Sequence, residues 1–350
     1  MAFQATYTGS NPVARFLKKI MKNKLTILGA GSWGTTLAVV LSAKKELDIT
    51  LWSAFKEHAL SLQKYRQNKD FLPSVKIPSS VEITADLRTA LNSKIIVLAI
   101  PVEYLRPVLK RVKKYKSGRK IFVSVSKGIE IKTLKRPSQI VREELGRVSF
   151  AVLSGPTIAR ELARGVPTTA VICSKNKRTA VYLQEIFSLG IFRIYRNNDI
   201  AGVELGGALK NIIAIACGIS DGLGFGTNTK SALICRGLKE MVRFAKHFGA
   251  KEKTLFGISG LGDLATTCFS DLSRNHFVGV QIARGKKLKA VLSGMKMVAE
   301  GITTVKSVYS LSTKLNIYMP ITQQVYSVLY KNKSPLQAVK DLMQREKKPE

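Results

Sequence analysis

The sequence predicts an α/β protein: a doubly wound, mostly parallel sheet in its first half and an all-helical domain in its second. Three observations carry this. Short β-branched apolar runs alternate with longer amphipathic stretches up to about residue 195, and strands alternating with helices imply βαβ units. The apolar runs are nearly continuous, as in strands covered on both faces. From about residue 198 helical periodicity takes over.

The expected strands are 25–28, 49–53, 95–100, 121–125, 150–154 and 169–173, with helices such as 33–43 and 55–66 between them. The expected later helices are 200–219, 230–248, 276–284, 291–295, 305–315, 321–330 and 335–344. A boundary between about 195 and 200 divides the chain into residues 23–197 and 198–345. Residues 1–22 are read as an extension, disordered or a mis-assigned start. Residues 1–24 hold five basic residues and no acid. That composition admits an organelle transit peptide, but no apolar core follows to make a secretory signal. The strand–turn pattern opening at Lys24 favours an upstream extension. The polar end, 345–350, is expected to fray.

Composition narrows the function. Of 350 residues, 45% are hydrophobic, so the chain can bury a core. Its four cysteines, Cys173, Cys217, Cys235 and Cys268, form no C-x-x-C pair, and there are three histidines. This disfavours a structural metal and reads as reduced thiols in a cytoplasmic protein. The longest apolar run in the helical half, 212–219, falls short of the ~18 residues of a membrane span. The net charge is +34, and +29 without residues 1–24. A nucleic-acid binder would concentrate its lysines and interleave aromatics. Here the lysines are dispersed and aromatics make up 7%. The positive field is read as steering small anions.

Six segments carry chemistry. Gly29-Ala30-Gly31-Ser32-Trp33-Gly34 follows an expected strand and opens an expected helix. This is the context of the dinucleotide fingerprint of a Rossmann-type domain: Gly29 for the tight turn, Gly31 for approach of the diphosphate, Gly34 for helix–strand packing. About 20 residues on, where NAD-selective proteins place an acid for the ribose, the chain has Leu51-Trp52-Ser53-Ala54, with Lys44, Lys45 and Lys56 nearby. That favours NADP, with NAD retained. Ser126-Lys127-Gly128 and Ser154-Gly155-Pro156-Thr157 follow the next strands, at the sheet edge where ligands sit.

In the helical half, Lys210 lies in an apolar helix flanked by small residues. Burial lowers an ammonium pKa, which suits proton transfer. Gly257–Asp263 is glycine-rich and is read as backbone beside a ligand rather than core, with Asp263 either holding a lysine or capping a helix. Ser273-Arg274-Asn275 precedes a helix, an arrangement that grips phosphate.

Together these segments resemble bacterial-type NAD(P)-dependent glycerol-3-phosphate dehydrogenase from about residue 21 to 342. The strings are GAGSWGTTLA at Gly29, SKGIE at Ser126, SGPTIARELA at Ser154, GVELGGALKNIIAIACGISDGLGFGTN at Gly202, GLGDLATTC at Gly260, SRN at Ser273, VAEG at Val298 and MPIT at Met319. The resemblance implies a Rossmann domain and a helical domain like that of 6-phosphogluconate dehydrogenase. It implies reversible reduction of dihydroxyacetone phosphate to sn-glycerol 3-phosphate by NADPH or NADH, feeding phospholipid synthesis, in a cytoplasmic homodimer without metal, nucleic acid or integral membrane association. The implied catalytic residues are Lys210, Lys127 and Asp263. Lys127, Gly155, Thr157, Lys210, Asp263, Thr267, Ser273, Arg274 and Asn275 would meet the substrate. Gly29, Gly31, Ser32, Trp33, Gly34, Ser53, Lys127, Ala159, Arg274, Val298 and Glu300 would meet the cofactor. The pattern departs at Ser53-Ala54, where many members carry Arg or His against the 2′-phosphate. Another two-domain reductase, acting on 6-phosphogluconate or a hydroxy acid, would need substrate motifs that are absent here.

Overall fold

A computed structural model describes residues 23–347 except 116 and 296. The expected extension, 1–22, lies outside the described residues, as do 348–350. Ten strands are described: β1 Asn23–Leu28, β2 Leu47–Trp52, β3 Gln67–Asn68, β4 Leu72–Lys76, β5 Glu82–Thr84, β6 Ile95–Leu98, β7 Ile121–Ser124, β8 Ser149–Ser154, β9 Thr168–Cys173 and β10 Phe192–Asn197. Eight form one sheet in the order β10-β9-β8-β7-β6-β1-β2-β5, and β3 and β4 make a separate hairpin. The strand order reverses at β1, so helices cover both faces and the inner strands are buried on both: Leu25, Thr26, Ile27, Ile95, Ile96 and Val97 have no exposed surface.

The sheet is parallel except where β8 meets β9. A parallel return needs a full crossover, usually a helix. The link from Ser154 to Thr168 holds only the five-residue helix Ala159–Ala163, and the chain comes back antiparallel.

The expected strands are present, and β3, β4, β5 and β10 are additional. The sequence Phe192-Arg193-Ile194-Tyr195 of β10 alternates buried apolar with exposed residues, the pattern of an edge strand with one covered face. A search for continuous apolar runs passes over it.

β10 ends at Asn197 and the central helix Ile200–Gly222 begins three residues later. Asp199 caps it, accepting from Gly202 N at 2.9 Å, and its other oxygen takes Lys251 N at 2.7 Å. Every residue from Gly202 to Ser220 is buried under surrounding helices. This helix corrects the expectation about membrane length. It contains an 18-residue window of mean hydropathy 1.5, enough by length and composition to cross a membrane, but 89% of that window is buried in the protein. Counting consecutive apolar residues missed it, because the isoleucines, leucines and alanines keep the average high across Lys210 and Asn211.

The glycine-rich segment is also a correction. Ile258–Gly262 forms a π-helical turn leading into the helix Asp263–Phe269. Ser259 and Gly260 are buried rather than lining a loop. A side chain on Gly206 of the central helix would press on the Ser259 carbonyl, so the glycines serve close backbone packing.

Candidate active site

The glycine turn is built as its spacing requires. Gly29 has φ +119°, a conformation costly for any other residue. A Cβ on Gly34 would overlap the Gly29 carbonyl, so the helix Ser32–Leu41 starts hard against β1. A Cβ on Gly31, by contrast, would meet nothing within 4 Å, and Gly31 opens the helix with no side-chain cap. The result is an unoccluded helix N-terminus with free N–H groups and no acid in the first turn, which fits a dinucleotide diphosphate. Asn68, from the β3–β4 hairpin, fastens the turn by donating to the Ala30 carbonyl and to Thr35 Oγ1, each at 2.8 Å. Sequence reasoning missed it, since no local pattern marks one polar residue of the two-residue strand Gln67–Asn68.

Beyond this turn a cavity of about 390 Å³ opens between the sheet and the helical portion. Ser32 and Trp33 border it on one side and Ser273, Arg274 and Asn275 on another. Lys127, Thr157, Ala159, Lys210, Thr267, Val298 and Glu300 also line it. Gly155 and Asp263 sit just behind this wall, while Ser53 is buried at the end of β2 with its hydroxyl 3.1 Å from His58 Nδ1. Asn211 and Thr266 line the cavity too. Asn211 carries a signal that could have found it, being a second polar residue beside Lys210 in an apolar helix.

Lys210 is 6% exposed and does not reach the surface. Its Nζ donates to Asp263 Oδ1 at 2.5 Å and to Thr267 Oγ1 at 2.7 Å. Lys127 Nζ donates to the other oxygen, Asp263 Oδ2, at 2.7 Å and to the Gly155 carbonyl at 3.1 Å. Asp263 therefore bridges two lysines and caps no helix. Burial brings the Lys210 ammonium down to about 8, with the Asp263 charge opposing and Lys127 assisting that fall. A side chain on Gly207 would meet Ser154 Oγ and the Lys127 stem, so a small residue near Lys210 is what admits Lys127.

The opposite wall is a helix N-terminus. Ser273 caps the helix Arg274–Ala283, accepting from His276 N. Arg274 is exposed and bonds the Val298 carbonyl. Asn275 Oδ1 accepts from Gly301 N at 3.0 Å, tying this turn to the start of the helix Glu300–Lys314. Burial raises the Glu300 carboxyl above its ordinary range, against the pull of Arg274, Lys127 and Lys210.

Two of the lysines read as attracting a 2′-phosphate do not serve it. Lys44 and Lys45 follow the helix Ser32–Leu41 and precede β2, at the sheet edge opposite the glycine turn. Lys44 instead bonds the Glu185 carbonyl. Lys56, exposed at the start of the helix Lys56–Tyr65, remains at the correct edge.

Comparison with known proteins matches this arrangement. The family model described as NAD-dependent glycerol-3-phosphate dehydrogenase N-terminus covers residues 24–180, and the corresponding C-terminus model covers 199–340. The chain is 47% identical over 334 residues to a glycerol-3-phosphate dehydrogenase [NAD(P)+] of Citrifermentans bemidjiense, spanning 94% of this chain and 99% of the relative. It is 48% identical over 331 residues to one of Chlorobium phaeobacteroides strain BS1, spanning 93% and 99%. The crystal structure of glycerol-3-phosphate dehydrogenase from Coxiella burnetii superposes with a TM-score of 0.90 at 38% identity, over 93% of this chain and 99% of that one. The chain belongs to the NAD-dependent glycerol-3-phosphate dehydrogenase family.

Proposed function

We propose that the protein reduces dihydroxyacetone phosphate reversibly to sn-glycerol 3-phosphate with NADPH or NADH, supplying the glycerol phosphate of phospholipids. The observation that carries this is the pair of lysines sharing one buried carboxylate, in a cavity bounded by a free helix N-terminus on one side and a Ser-Arg-Asn helix start on the other.

Lys210 acts as the acid. Its ammonium, held by Asp263 and Thr267, gives its proton to the substrate carbonyl oxygen as negative charge gathers there. Lys127 adds a second positive charge fixed before reaction begins, so the site favours the transition state over the ketone. Asp263 keeps both ammonium groups in place and offsets their mutual repulsion. Ser273, Arg274 and Asn275 hold the substrate phosphate, a remote anchor that orients the carbonyl, while Gly155, Thr157 and Thr267 complete the substrate wall. Gly29, Gly31, Ser32, Trp33 and Gly34 take the cofactor diphosphate, with Ser53 at the adenosine end and Ala159, Val298, Glu300 and Arg274 along the remaining wall. When bound, the nicotinamide supplies the hydride.

We further infer that residues 23–197 form the cofactor domain and 198–345 the catalytic domain. One apolar core lies wholly within the first half and another gathers the helical half with Ile129 joining it, which supports this division. The four cysteines are free, in keeping with the cytoplasm, and a homodimer is the expected assembly. The test is a steady-state comparison of NADH and NADPH oxidation with dihydroxyacetone phosphate, alongside a panel of phosphorylated ketones and hydroxy acids. Preference for dihydroxyacetone phosphate supports the reading. Turnover of another substrate in its place overturns it.

A further inference from the structure

The chain carries 57 basic residues and 23 acidic ones, yet three carboxylates converge on the single guanidinium of Arg106. Arg106 lies on the helix Val102–Tyr115. Its Nε donates to Glu130 Oε1 at 2.9 Å and its Nη2 to Glu130 Oε2 at 2.8 Å, a two-pronged pair. Nη1 donates to Glu144 Oε1 at 2.7 Å and Nη2 also to Glu143 Oε2 at 2.9 Å, both on the helix Pro137–Leu145. Glu130 is buried, and Thr133 donates to it as well. An isolated ion pair at a surface contributes little, but a forked arginine pair inside a network fixes geometry. None of these groups lines the cavity described above.

Glu130 stands three residues after Lys127, on a strap between β7 and the helix Pro137–Leu145 that has no helix or strand of its own. The strap is tied at three points. Ser126 Oγ donates to the Ile100 carbonyl, beyond the end of β6, at 2.5 Å. Ile129 is buried in the core of the helical half, and its carbonyl accepts from Ser307 Oγ at 2.9 Å. Glu130 then returns the strap to the first half through Arg106. Between these ties Gly128 has φ +148°, and a Cβ there would come within 3.2 Å of Thr304 Oγ1. Lys127 needs such support. Its ammonium and that of Lys210 repel, and Asp263 offers one charge against two. Of the two side chains Lys127 is the more exposed, 16% against 8%, and so the one free to swing toward water.

We propose that Arg106 and Glu130 are positioning residues of the reduction: their pair sets the strap so that the Lys127 ammonium stays on Asp263 and faces the carbonyl oxygen together with Lys210. This rests on the function proposed above, in which Lys127 acts on the substrate. An arginine is required at 106, because one planar fork must hold both oxygens of Glu130 while its third nitrogen holds Glu144.

Two readouts on the full chain test this. The first needs no substrate: acetylation by sulfosuccinimidyl acetate, followed at Lys127 and at Lys210 by peptide mass spectrometry. In Arg106→Gln and in Glu130→Gln, Lys127 should label at least about threefold faster than in wild type, its charge-assisted hydrogen bond to Asp263 being weakened, while Lys210 should not. Glu130→Gln leaves Arg106 with Glu143 and Glu144, so it tests the pair even where Arg106→Gln loses stability. The second readout is kcat/KM for dihydroxyacetone phosphate. Each variant should lose roughly 10- to 100-fold, the cost of misplacing a reacting group by about 1 Å, with cofactor affinity unchanged. Added to Lys127→Ala, neither substitution should lower activity further, since both act through Lys127. Unchanged Lys127 labelling in both variants overturns the proposal. So does Lys210 labelling that rises in step, or a loss that adds in full to that of Lys127→Ala. Full activity in Lys127→Ala overturns the role of Lys127 and this proposal with it. Faster Lys127 labelling in a protein that does not reduce dihydroxyacetone phosphate upholds the positioning and overturns only the substrate.

Discussion

The Lys210 ammonium and the Asp263 carboxylate meet at 2.5 Å with 6% and 1% of their residues exposed. The other carboxylate oxygen holds Lys127 at 2.7 Å. One negative charge thus serves two positive ones, and the surplus lies against the cavity. That surplus positive charge is what a carbonyl oxygen needs as it becomes an alkoxide.

The pH dependence follows from Lys210, lowered to about 8 chiefly by burial. Ketone reduction needs the protonated lysine, so kcat/KM should be level at neutral pH and fall as pH rises through about 8. Alcohol oxidation needs the neutral amine, so it should fall as pH drops through the same value. Measuring kcat/KM in both directions from about pH 6 to 10 checks the sign. Two profiles bending the same way would contradict it.

Asp263→Asn removes the charge that opposes the fall of the Lys210 pKa and leaves two lysines facing each other. The alkaline limb of the reduction profile should move to lower pH. Stability should drop by roughly 3–5 kcal/mol, the usual cost of breaking a buried pair, read by urea denaturation. An unmoved limb would separate Asp263 from the titration of Lys210.

Arg274→Ala should lower kcat/KM for dihydroxyacetone phosphate by roughly 10- to 100-fold, the worth of charge-assisted hydrogen bonds to a phosphate. Unphosphorylated dihydroxyacetone, a poor substrate for want of its anchor, should lose much less. Equal losses on both would place Arg274 elsewhere than on the phosphate.

Gly31→Ala and Gly34→Ala should part company. Nothing surrounds a side chain at Gly31, so that variant should fold normally and bind the dinucleotide weakly. At Gly34 a methyl overlaps the Gly29 carbonyl, so the second variant should lose stability, by about 1–3 kcal/mol for overpacking. Thermal unfolding with and without NADPH distinguishes the two.

Much of this was legible in the sequence because it rests on local chemistry. The glycine turn, the lysine inside an apolar helix and the Ser-Arg-Asn helix start each declare themselves by residue type within a few positions. Long-range relationships were not legible. That Asp263 would meet both lysines depends on the π-helical turn Ile258–Gly262 packing against Gly206, and glycine richness alone suggested backbone beside a ligand. Lys44 read as a phosphate ligand because it is near β2 in sequence, but an α/β crossover sends the helix end to the far edge of the sheet. Asn68 supports the glycine turn from a hairpin 38 residues away, a distance no local pattern spans. The strand β10 was overlooked because only one of its faces is covered.

The most direct test compares wild-type protein with Lys210→Ala in dihydroxyacetone phosphate-dependent oxidation of NADPH and NADH, with cofactor affinity measured separately by fluorescence titration. The account expects kcat to fall by about 10²- to 10⁴-fold, the range for loss of a general acid, with cofactor affinity nearly unchanged. Full activity in Lys210→Ala would contradict it.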